Sequence, residues 1–273
     1  MTYEGLGTRA LDYFPCRYGA SKLLFRGPRR DLSTAYCAFV GGTETYGKFL
    51  ASPYPSIIER EIGMPCVNLG FPNAGIDVFL HDPFVPVAAA GAQISVVQVM
   101  GAQNMSNRFY TVHPRRNDRF VRASQMMQAV YGDVDFTEFH FTKHLIRSLM
   151  ALSADRFSCV RRELQQAWQA RMELLLSKLG GKIILLWFAR HSPDEDGFST
   201  TSDPMFVTRK MIENLRPHVT DIVEVVASPA AQAQGTRGMI FAQMEAPAAG
   251  HIMGPAAHRE AADAVSRSIN RLI

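Results

Sequence analysis

The run Ala35-Tyr36-Cys37-Ala38-Phe39-Val40, closed by Gly41-Gly42, constrains the fold more than any other stretch of the chain. It is apolar at every position. A strand of this kind has both faces buried, as in a parallel sheet covered by helices on either side. Runs of similar length and character recur at 65–70, 94–100, 182–189 and 221–226. Between them the apolar residues recur at helical spacing: Phe49, Leu50, Tyr54, Ile57, Ile58 and Ile62 over 48–62, then 76–90 and 205–215. The segment 157–179 carries the clearest stripe, Val160, Leu164, Trp168, Met172, Leu175 and Leu179, and Gly180-Gly181 ends it as a C-cap would. A closing helix follows Pro255 to about residue 273. Strands alternating with helices predict a three-layer α/β/α fold around a doubly wound, parallel, five-stranded sheet. The whole chain, 1–273, is expected to be one domain, with a polar arm over 1–34 and an insertion over 105–155.

Composition narrows the class. Apolar residues make up 47%, charged residues 20%, and the formal net charge is +4, too mild to imply a nucleic-acid partner. The four cysteines, Cys16, Cys37, Cys66 and Cys159, lie far apart and form no metal-type pair, so a reducing, cytoplasmic setting is expected. No run reaches the ~20 apolar residues of a membrane span. No basic-then-apolar leader stands over 1–12. His140 and His144 are spaced to share a helix face, but Phe141-Thr142-Lys143 lies between them where a zinc helix would carry Glu-x-x, so no metal or cofactor is expected.

After the first strand comes Gly41-Gly42-Thr43-Glu44-Thr45-Tyr46-Gly47, a glycine-rich turn leading into a helix. Such a turn presents its side chains at the carboxyl edge of the sheet, where ligands gather in α/β folds. It resembles block I of the SGNH (GDSL-type) hydrolase superfamily, with Thr43 at the nucleophilic serine, glycine in place of the aspartate, and Gly47 at the conserved spacing. The whole chain also resembles a bacterial family of unknown function, from Phe25-Arg26-Gly27-Pro28-Arg29-Arg30 through Gly254-Pro255-Ala256-Ala257-His258. The SGNH resemblance implies a flavodoxin-like strand order, 2-1-3-4-5, and an acyl-transfer site built from three further stretches.

The first of these is Val67-Asn68-Leu69-Gly70, which resembles the lead-in to block II, whose glycine gives a main-chain N–H to the oxyanion. The family spacing of five residues after the asparagine falls on Asn73, so Gly75, after a short insertion, and Gly70 are the candidate donors. Both glycines also suit a tight turn. The second is Gly101-Ala102-Gln103-Asn104 after the third strand, resembling block III. Spacing selects Gln103 and residue type selects Asn104 as the carboxamide that donates to the oxyanion. Loss of one such donor costs about 3 kcal/mol in the barrier. The third is the loop before the last helix, where the family's general base lies. His251 holds the loop position and His258 the first turn of the helix. An aspartate three residues earlier is missing for both, since Ala248 and Pro255 stand there. Asp194, with Glu195 and Asp196 beside it after the fourth strand, is the candidate substitute.

Two arginine clusters stand apart from these blocks. Arg26, Arg29 and Arg30 surround Pro28, either as a solvated face or as a contact for a phosphate or carboxylate. Arg108, Arg115, Arg116, Arg119 and Arg122, interleaved with Phe109, Tyr110 and Phe120, follow the third strand. Of these, Arg108, Arg115, Arg116 and Arg119 are the candidates to dock an anionic group of the substrate, with ion pairs inside the insertion as the alternative. The expected activity is hydrolysis or transfer of an acyl group on a carbohydrate or lipid ester that carries an anionic group, with Thr43 attacking. Two alternatives are a binding protein that kept the scaffold without the chemistry, and another group transferase of surface-polysaccharide assembly. No Gly-x-x-x-x-Gly-Lys-[Ser/Thr] loop supports a nucleotide donor. Homo-oligomerisation is left open by the sequence.

Overall fold

The structure is a computed structural model describing residues 11–195 and 203–273. The chain runs β1 (Cys37–Val40), α1 (Thr43–Tyr46), α2 (Tyr54–Ile62), β2 (Cys66–Asn68), α3 (Ile76–Leu80), α4 (Val85–Ala90) and β3 (Ile94–Gln98). It continues through β4 (Tyr110–His113), β5 (Arg116–Ala123), α5 (Gln125–Val130), α6 (Thr142–Leu152), α7 (Ala154–Leu179) and β6 (Ile183–Ala189). The last elements are α8 (Arg209–Asn214), β7 (Asp221–Val226), α9 (Pro229–Ala233), α10 (Ala246–Ala249) and α11 (Pro255–Leu272).

Five strands form one parallel sheet in the order β2-β1-β3-β6-β7, which is 2-1-3-4-5 counted within the sheet. The unbroken apolar runs have their explanation in the pleat. Successive side chains point to opposite faces, and here both faces are covered. Ala38 and Val40 of β1, with Val97, Leu185 and Trp187, join the core beneath α3, α4 and α7. Cys37 and Phe39, with Val96, Ile184, Leu186 and Phe188, face the other core, beneath α2 and α11. β7 lies at the sheet edge, and Val223 and Val225 are buried while Glu224 and Val226, which alternate with them, are exposed.

Helix boundaries moved where local backbone chemistry overrode the apolar period. The expected helix over 48–62 is split: Gly47 and Phe49 take left-handed φ of 72° and 67°, and α2 begins only after Pro53. The 76–90 helix breaks at 81–84, where the Asp82 carboxylate accepts from the N–H groups of Phe84 and Val85 and restarts the helix as α4. The helix expected from 205 begins at Arg209, after Phe206 at a left-handed φ of 64°. Segment 239–241 is not a strand. Ile240 N–H donates to Phe49 O and Phe241 packs edge-on against Phe49.

The insertion, expected from the sequence to be helical and arginine-rich, carries helices α5 and α6, and it opens with an antiparallel hairpin, β4-β5. The first arginine cluster is structural in two of its members. Buried Arg26 donates to the carbonyls of Tyr46, Gly47, Leu50 and Ala51, and Arg30 pairs with Glu59. Among the described residues no helix is long and apolar enough to cross a membrane.

Candidate functional site

A cavity of about 490 Å³ opens at the carboxyl edge of the sheet, between the segments that follow β1 and β3, where the strand order reverses. Thr43 and Glu44 of α1, Asn73, Gln103 and Asn104, Lys143 and Arg147 of α6, Arg190 after β6 and His251 all line it. Segments scattered over two hundred residues of chain thus meet in one wall.

The Thr43 turn is fixed from below. Gln98, the last residue of β3, turns its side-chain oxygen to the N–H groups of Gly42 and Thr45 and to the Thr45 hydroxyl. Gly41 permits this approach, because a Cβ there would lie 2.1 Å from Thr45 Oγ1 and 2.6 Å from Gln98 Cβ. The end of β3 is held in turn by Trp168 of α7, whose indole N–H donates to Met100 O at 2.7 Å.

Thr43 Oγ1 accepts the main-chain N–H of Asn73 at 2.9 Å and lies 3.4 Å from Asn73 Oδ1, to which it donates. Asn73 has a left-handed φ of 55°, the conformation glycine adopts most freely, and it stands five residues after Asn68. Asn104 is tied into the same loop, donating from Nδ2 to Asn73 O at 3.2 Å while its Oδ1 accepts from Thr142 Oγ1. The Asn73 carboxamide also donates to Asp118, whose carboxyl burial pushes up against the lowering pull of Asn73, Arg119 and Arg116.

The two candidate glycines do other work. Gly70 N–H donates to Asn68 Oδ1, and a Cβ at Gly70 would lie 2.3 Å from Tyr46 N. Gly75 N–H donates to Asn117 Oδ1, and a Cβ there would lie 1.5 Å from Asn104 O. Neither amide is free for an oxyanion; both glycines permit close approach of backbone. Gln103 lines the cavity, but its Nε2 donates to Asp203 Oδ1 at 2.8 Å, and Asp203 also pairs with Lys143.

The histidines separate cleanly. His251 is exposed on the loop between α10 and α11 and lines the cavity, and among the described residues its ring has no hydrogen-bond partner. Ala248, at the position of the missing aspartate, lines the same wall. His258 is fully buried in α11 and is not placed as a base. Its Nδ1 accepts from Tyr54 N–H at 3.1 Å, so the ring proton is on Nε2, 3.3 Å from Glu44 Oε2. Glu44 was not singled out by the sequence. Its carboxylate lines the cavity and also accepts from Met253 N–H. The only sequence signal was its place next to Thr43.

Asp194 does not orient either histidine. It forms a two-point pair with Arg209, which holds its carboxyl below the ordinary range, and Asp196 lies outside the described residues. The candidate arginines of the insertion do not line the cavity either. Arg108 pairs with Glu163, Arg119 lies 4.2 Å over the Phe141 ring, and Arg115 and Arg116 are exposed at the hairpin turn. Among the described residues the cavity's cations are Lys48, Lys143, Arg147 and Arg190, and its carboxylates are Glu44 and Asp203. Among the described residues no group of three or more His, Cys, Asp and Glu side chains is placed to hold a metal ion.

A family described as a domain of unknown function (DUF6473) matches residues 1–273. No curated protein sequence matches the chain significantly. Among solved structures it is similar to a family two carbohydrate esterase from Clostridium thermocellum, at 9% identity over 91% of this chain and 67% of that one, with a TM-score of 0.46. It is also similar to the lipase Lip_vut3 from a goat rumen metagenome, at 11% identity over 88% of this chain and 97% of that one, with a TM-score of 0.40. A protein from Lactobacillus plantarum gives 13% identity over 87% and 97%, with a TM-score of 0.39.

Proposed function

We propose, for a chain that belongs to the DUF6473 family, that the cavity is an acyl-transfer site acting on an ester of a carbohydrate or lipid with an anionic group. The observation that carries this reading is the meeting of a hydroxyl, an amide pair and an imidazole in one wall: Thr43, Asn73 with Asn104, and His251. In this scheme Thr43 Oγ1 attacks the ester carbonyl, and His251 takes its proton and returns it to the leaving alcohol. The carbonyl oxygen, now negative, is held by the main-chain N–H groups of Thr43 and Asn73 and by Asn104 Nδ2. The Asn73 N–H already rests on the threonine oxygen, so a substrate carbonyl entering there would take over a donor that is in place. Lys48 and Lys143 on the cavity wall favour an acidic substrate, with Lys48 in the role first assigned to the insertion's arginines. The proposed domain is the chain as one unit, since the site draws on both its ends.

Hydrolysis of short p-nitrophenyl esters tests the scheme. Thr43→Ser keeps or raises turnover, because it removes a methyl that stiffens and crowds the nucleophile. Thr43→Val loses turnover by about a hundredfold or more. Wild-type turnover in the Val variant would exclude Thr43 as nucleophile.

One observation favours a second reading, a binding protein without turnover: the Thr43 hydroxyl proton is directed at Asn73 Oδ1, and Ala248 leaves His251 without a carboxylate partner. That reading expects an anion to bind in the cavity with no ester hydrolysed.

A further inference from the structure

The loop bearing His251 is gripped on both flanks by charged side chains that also line the cavity. Arg190 Nη2 donates to Gly250 O at 3.2 Å and to Ile252 O at 2.9 Å, the carbonyls immediately before and after His251. Glu44 accepts from Met253 N–H at 3.2 Å, two residues further on. Glu44 is itself held by buried His258, which stands on Tyr54 N–H and packs edge-on against Phe188 at 5.1 Å. The ring of His251 has no hydrogen-bond partner among the described residues, whereas the backbone on either side of it is tied to the ends of β6 and to α1.

We propose that Glu44 and Arg190 are positioning residues that do through the backbone what an aspartate would do through the ring: they hold the His251 imidazole over the Thr43 turn. This rests on the acyl-transfer reading above. The charges suit the task. Arg190 Nη2, one nitrogen with two N–H groups on an always-charged guanidinium, reaches both carbonyls, and a carboxylate makes a stronger acceptor for an amide N–H than a neutral group does. Because Glu44 follows Thr43 directly, the base loop is referenced to the nucleophile turn itself, so movement of one carries the other.

Hydrogen exchange and kinetics on the full chain test this together. In Glu44→Ala and in Arg190→Ala, amide exchange over 250–253 rises, and kcat on a p-nitrophenyl ester falls about tenfold or more with KM within about twofold. Glu44→Gln, which keeps an acceptor for Met253 N–H, recovers part of both. Arg190 is exposed, so its variants fold even where Glu44→Ala does not. If His251→Ala slows turnover while both alanine variants keep wild-type kcat and wild-type exchange, the clamp is overturned and the acyl-transfer reading stands. If His251→Ala has no effect on turnover, or the wild type hydrolyses no ester, the reading itself falls and the proposal falls with it.

Discussion

A histidine with both ring nitrogens committed cannot pass a proton to a substrate, and His258 is in that state. It accepts from Tyr54 N–H on one side and faces Glu44 on the other, with no exposed surface. Replacing it with alanine leaves the Tyr54 amide without a partner, frees the Glu44 carboxylate and opens a void beside Phe188. Together these should destabilise the fold by about 3 kcal/mol, read as a fall in the urea midpoint. By the same physics the two C-terminal histidines were not separable in the sequence. Both lie in or just before the first turn of the last helix, and only burial tells the structural one from the one lining the cavity. Asn73 was not selected for a different reason: its left-handed backbone cannot be read from an asparagine side chain.

At the scale of elements, the central strands were legible because two buried faces make them largely apolar, as in the unbroken Cys37–Val40 and Ile183–Ala189. Helix ends and the β4-β5 hairpin were less so. Residues 110–123 mix arginines with aromatics, since one face of the hairpin is packed and the other solvated, and that charge was read as a ligand-binding surface. The α1–α2 connection depends on a residue far from both helices. Arg26 supplies four donors to carbonyls of 46–51, which have no strand or long helix to satisfy them. Arg26→Ala should cost about 2–4 kcal/mol, with Arg26→Lys recovering less than half, because an ammonium cannot span the same carbonyls as a planar fork. Thermal unfolding of the two variants checks it.

For the molecule as a whole, the uneven placement of charge matters more than its sum. Among the described residues, four cations line a recess at one edge of the sheet, and the insertion's remaining arginines lie outside it. Attraction of this kind is screened by salt. For an ester carrying an acidic group, KM should rise about twofold to fivefold between about 0.05 and 0.5 M salt, while that of a neutral ester of the same length stays nearly constant. Equal behaviour of the two esters would remove charge from the account of substrate choice.

The docking of α11 against α2 and β7 also has a consequence in time. Its buried imidazole faces the Glu44 carboxylate, and the loop just before it brings His251 to the cavity wall. In refolding, the wall of the cavity that carries His251 and Met253 therefore forms only once Pro255–Leu272 lies against α2 and β7, and the cavity is not complete before that docking.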